Sequence, residues 1–180
     1  MKTITINLYE FDELSDEAKE NAIQEHRECG FEYDWWDSIY DDARQNGLKI
    51  TGFDLYRRDI TGELTMPMLQ SMNEIMGNHG ELCGTYKMAS MFLKQYFLLE
   101  NDLDVINRVD NEEMDVIDAI KEVAEEGLEG IYKQALLHEY YMILKTEYED
   151  RTSDEGITES IHCNDYWFTE DGRYWPTRGR

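Results

Sequence analysis

Thr3-Ile4-Thr5-Ile6-Asn7-Leu8-Tyr9 alternates with period two, and Ser15-Asp16-Glu17-Ala18 follows it closely. The first stretch is rich in β-formers and reads as a strand. Ser15 is a good helix N-cap, and Asp16 and Glu17 sit where the positive end of a helix favours carboxylates. Ala18, Ala22 and Ile23 recur at helical spacing, with His26 next on that face, and Gly30 stops the run. A strand running straight into an amphipathic helix points to a mixed chain. The far end mirrors it. Ser153-Asp154-Glu155 opens a short helix through Ile157 and Ile161. Tyr166-Trp167-Phe168, Glu170-Asp171-Gly172 and Arg173-Tyr174-Trp175 then read as a β-hairpin closed by an Asp-Gly turn.

Between these ends the pattern is mostly helical. Asp34 opens a second helix through Trp35, Trp36, Ile39, Tyr40 and Ala43, stopping at Asn46-Gly47. Leu48 to Arg57 reads as a strand, Asp59-Ile60-Thr61-Gly62 as a turn and Glu63 to Met66 as a return strand. Pro67 suits the first turn of a third helix, and a fourth runs from Cys83 to Leu99. Glu100 to Glu113 is acidic and reads as a loop or the approach to a helix. Met114 to Glu126 and Ile131 to Tyr148 are helical. The expectation is one α+β domain over residues 1–175, with about six helices, and a short basic tail at 176–180. The N-terminal, central and C-terminal strands are expected to share one small antiparallel sheet.

Charge is the dominant compositional feature. The 180 residues hold 40 Asp+Glu against 17 Lys+Arg, a formal charge of −23. Such a field repels phosphate backbones and anionic lipid, which argues against nucleic-acid binding through a basic face. It speeds encounter with a basic partner. No stretch approaches the roughly 20 apolar residues of a membrane span, and the N-terminus lacks a signal-peptide core, so a cytoplasmic protein is expected. Cys29, Cys83 and Cys163 are widely spaced, which fits neither a disulfide framework nor a thiolate zinc site.

Motifs for catalysis begin and break off. His79-Gly80-Glu81 matches half of a zinc-deaminase signature, but no P-C-x-x-C follows. His138-Glu139 opens an H-E-x-x-H that ends in Met142. Asp102, Asp104, Asp110 and Glu113 occupy calcium-loop positions, yet Ile106 sits where an oxygen ligand belongs and Asn107 where a glycine is needed. There is no Gly-rich nucleotide loop and no G-x-S-x-G. No cofactor, metal or catalytic residue is expected, and the chain reads as a non-enzyme.

Two acidic constellations remain. In the second helix, Asp34, Asp37, Asp41 and Asp42 flank Trp35 and Trp36. Aromatic anchors rimmed by carboxylates suit an Arg/Lys-rich surface. Residues 109–160 hold 16 acidic and 4 basic side chains, with Glu112, Asp115, Glu122 and Glu126 on or near one helix. Carboxylates held that densely on a scaffold can imitate DNA phosphates. Their self-repulsion destabilises the fold, which hints at a use.

YEFDELSDEAKENAIQEHR (Tyr9 to Arg27), YDWWDSIYDDA (Tyr33 to Ala43), ITGFDLYR (Ile50 to Arg57), NHGELCGTYKMA (Asn78 to Ala89) and YEDRTSDEGITESIHCNDYWFTEDGRYW (Tyr148 to Trp175) together resemble a family of small acidic proteins of tailed bacteriophages and prophages. Some of these are labelled antitoxin-like. The resemblance covers most of the chain and implies an accessory protein acting in the bacterial host cytoplasm. It transfers no catalytic residue.

The expected function is therefore non-enzymatic inhibition of a basic host protein, such as a nucleic-acid-binding defence protein or nuclease, through acidic faces. Two alternatives stand beside it: an antitoxin-like binder of a basic partner, and a nucleotide or small-ligand sequestering protein with a pocket near His79 and Glu81. The sequence leaves self-association open.

Overall fold

A computed structural model describes residues 5–29, 34–99, 102–110 and 115–176. Eight helices and five short strands occur among them, an α+β fold with little sheet. The contacts gather into two compact units: Met1–Trp35 with Thr146–Arg180, and Trp36–Lys145.

The first unit holds β1 (Tyr9–Glu10), a 3-10 turn (Phe11–Glu13), α1 (Asp16–Cys29), α8 (Asp154–Cys163), β4 (Trp167–Phe168) and β5 (Tyr174–Trp175). Its sheet is antiparallel in the order β1-β4-β5, pairing Tyr9 with Phe168 and Phe168 with Tyr174. Ser15 and Ser153 cap their helices as expected, accepting from the amides of Ala18 and Gly156 at 3.3 and 3.0 Å. Phe11, Leu14, Ala18 and Ala22 bury against Ile157, Ile161 and Phe168. The N-terminal strand is much shorter than the alternation suggested, and Thr3 and Ile4 lie outside the described residues. Its partner β4 has only two residues, between the left-handed Asp165 (φ 49°) and the turn at Gly172 (φ 84°), so the ladder cannot extend. That turn is where the Asp-Gly pair predicted it.

The second unit holds α2 (Asp37–Gln45), β2 (Leu48–Asp54), β3 (Asp59–Leu64), α3 (Met68–Asn78), α4 (Gly84–Leu98), α5 (Leu103–Asp110), α6 (Val116–Gly127) and most of α7 (Glu129–Thr152). The central hairpin does not join the terminal strands: β2 and β3 form a two-stranded sheet of their own. Leu48 and Ile50 are buried, α2 packs on β2, and the Gly62 backbone lies against Leu137 of α7, so helices of the same unit cover the hairpin's apolar side. The hairpin turns at Leu55–Arg58 rather than at 59–62. Asp54 stabilises that turn by accepting from the Arg57 amide at 2.9 Å, and Arg58 takes the left-handed position at φ 56°.

Of the two readings of the acidic stretch after α4, loop or approach to a helix, the described residues form a helix. Asp102 accepts from the Asp104 amide at 2.9 Å and starts α5, whose Val105 is fully buried. Helix α7 supplies the unit's central apolar stripe, with Tyr132, Leu136, Tyr140 and Leu144 at four-residue spacing. No helix among the described residues is long and apolar enough to cross a membrane.

Candidate partner-binding surface

The structure disperses the predicted constellation at residues 34–42. Helix α2 begins at Asp37, so neither tryptophan lies on it. Trp35 is only 7% exposed and packs on Tyr148 with ring centroids 5.9 Å apart. Trp36 is half-buried, edge-on to Phe53 at 5.5 Å. Both rings are engaged within the protein. Asp34 and Asp37 are exposed, and Asp41 pairs with Arg44 one turn on.

Asp42 has a different role. Its Oδ2 accepts from the Tyr140 hydroxyl at 2.8 Å, and its Oδ1 lies 3.1 Å from His79 Nε2. The other ring nitrogen of His79 meets Thr85 Oγ1, which lies 3.2 Å from Cys83 Sγ. Asn46, fully buried, donates to the Asp42 carbonyl at 2.9 Å and to Tyr140 at 3.2 Å. Its own carbonyl accepts from Ser71 Oγ at 2.6 Å, and Ser71 meets the Tyr132 hydroxyl at 2.7 Å. The chain of bonds ties α2, α3, α4 and α7 together. Among the described residues no buried side-chain polar atom lacks a partner. A network satisfied throughout fixes the register of the helices that it joins. Burial pushes the Tyr132 phenol up to about 12. Burial, aided by the Asp42 charge, pushes Tyr140 higher still. The sequence marked Asn46 as a helix stop and His79 as half of a deaminase signature and the rim of a possible pocket, but not the network, because Ser71, Thr85 and Tyr140 come to them through the fold.

The later acidic residues form a real face. Glu112 lies outside the described residues. Asp115 caps α6, accepting from the Ile117 and Asp118 amides at 2.9 and 3.0 Å. Glu122 and Glu126 clasp Arg108 of α5 at 2.7 and 2.8 Å. The hydrogen bond to Glu126 and the charges of both carboxylates raise the Arg108 pKa above its ordinary value. At 100° per residue, Asp118, Glu122 and Glu125 fall along one outward line of α6, continued by Glu129 at the start of α7. Asp118, Glu122, Glu125 and Glu126 are exposed, while Ala119 and Ala124 face inward and are buried. The ridge thus carries four carboxylates over roughly 16 Å. No group of His, Cys, Asp and Glu among the described residues is arranged to hold a metal ion.

These features define an α+β protein with an acidic helical ridge and a closed polar network. In comparisons with known proteins, no family model, no curated protein and no solved structure matches the chain.

Proposed function

We propose that the protein is a non-enzymatic binder of a basic protein partner, which it engages through the α6 ridge. The observation that carries this reading is the alignment of Asp118, Glu122 and Glu125 on the exposed face of α6, continued by half-buried Glu129, with Arg108 beside it as the clasped cation. The ridge is sparser than a phosphate strand, roughly one charge per 5 Å of axis against one per about 3.4 Å in DNA. It therefore fits a basic protein surface better than it imitates a strand of DNA. The resemblance to tailed-phage proteins supplies the setting: an inhibitor acting in the host cytoplasm on a basic, nucleic-acid-binding defence protein or nuclease. Asp34 and Asp37 serve as auxiliary steering charges, while Trp35 is buried and half-buried Trp36 and Asp42 are engaged with Phe53 and with His79 and Tyr140.

The test is capture from a bacterial host lysate by the native protein and by Asp118→Asn/Glu122→Gln/Glu125→Gln/Glu129→Gln. One basic protein retained at low salt, released at high salt and lost by the variant is the expected result. Equal retention by the variant overturns the ridge. A nucleotide released on denaturing the purified protein overturns the non-enzymatic protein-binding reading in favour of ligand sequestration.

A further inference from the structure

Beside the ridge, within the same unit, a cavity of about 360 Å³ opens between α3, α4 and α6. Its size lies at the small end of ligand-binding pockets, roughly 300–1,000 Å³. Met68, Ala124 and Tyr96 line it and are themselves buried, at 4%, 1% and 8% exposure. Glu74, Glu125 and Glu129 also line it, and Glu125 and Glu129 belong to the ridge. Glu125 is close enough to Tyr96 that its charge, after burial, helps to raise the phenol's pKa. Among the described residues Lys121 is the one cation lining this cavity.

An apolar floor under a carboxylate rim selects its occupant. A neutral apolar ligand would strip water from three carboxylates and pair none of them, which costs free energy. A small hydrated cation would leave the floor unfilled. A lysine ammonium fills it in part, but it is strongly hydrated and cannot stack on a ring. An arginine satisfies every part: its stem covers Met68 and Ala124, its planar fork meets two carboxylates, and its face can lie on Tyr96.

We propose that this cavity seats an arginine side chain of the basic partner as the anchor of the interface, with its guanidinium held by Glu125 and Glu129. The inference rests on the partner-binding reading above and adds the chemistry of the anchor. Lys121 competes for the same carboxylates and lowers the affinity for the arginine.

The experiment is methyl NMR of protein labelled at Met and Ala methyl groups. The probes are N-acetyl-arginine methylamide, its neutral isostere N-acetyl-citrulline methylamide, and a lysine-only peptide. The arginine probe is expected to shift the Met68 and Ala124 methyls saturably, and citrulline is not. Glu125→Gln/Glu129→Gln should weaken arginine binding by at least about tenfold, the scale of even one lost charge-assisted hydrogen bond. Lys121→Gln should strengthen it several-fold, an outcome that a loss of folding cannot imitate. Equal shifts with citrulline, no saturable shift with arginine, or an unchanged affinity in Lys121→Gln would each overturn the anchor. The lysine peptide separates the two claims. Its salt-sensitive binding with no arginine effect at Met68 sinks the anchor and spares the ridge. No binding of either probe sinks both.

Discussion

The two buried phenols of the polar network should give the protein a steep alkaline limit. Tyr132 is fully buried with its pKa pushed up to about 12, and Tyr140 is pushed further in the same direction. In the unfolded chain both titrate near 10. The folded state holds these protons more tightly, so the stabilisation is complete below pH ~10 and is lost as pH rises towards ~12. At pH ~11 each phenol has removed about 1–2 kcal/mol, or about 3 kcal/mol together, against a typical stability of roughly 5–15 kcal/mol. Repulsion among the carboxylates acts alongside, so the comparison is with Tyr132→Phe/Tyr140→Phe. That variant keeps the charge pattern at neutral pH. Ser71 still bonds the Asn46 carbonyl and Asn46 still bonds Asp42, so it should fold with a loss of about 1–3 kcal/mol. Urea unfolding at pH ~8 and pH ~11 reads the result. The native protein should lose about 3 kcal/mol more than the double variant over that interval. Losses agreeing within ~0.5 kcal/mol would refute the linkage of the buried phenols to folding.

Other perturbations separate neighbours that look alike in the sequence. Asp42→Ala should cost about 2–4 kcal/mol, because His79 and Tyr140 lose their shared acceptor, whereas exposed Asp41→Ala should cost less than about 0.5 kcal/mol in the same urea assay. Gly172→Ala should lower stability by about 2–4 kcal/mol, seen as a fall in Tm; its φ is 84° and a new Cβ would lie 2.0 Å from the Ala18 carbonyl oxygen. Asp115→Ala should cost about 1 kcal/mol through the lost cap, and Asp115→Asn should restore most of it.

The sequence by itself determined what depends on near neighbours. The Ser15 and Ser153 caps and the Asp171-Gly172 turn are each set within a few residues, by local hydrogen bonds and backbone freedom. The acidic run around α6 was legible for the same reason. What only the tertiary structure decided is which groups remain available. Asp41 and Asp42 are adjacent and chemically identical, yet Asp42 is claimed by His79 and Tyr140, 37 and 98 residues away. Trp35 looked like a surface anchor until Tyr148 covered it, and Glu122 and Glu126, while still exposed, share the Arg108 that α5 brings beside them. The central hairpin paired within itself because helices of its own unit buried Leu48 and Ile50. The cavity beside the ridge combines residues from α3, α4 and α6 that no spacing rule connects. Local propensity is written residue by residue, whereas availability depends on which distant side chains the packed helices bring together.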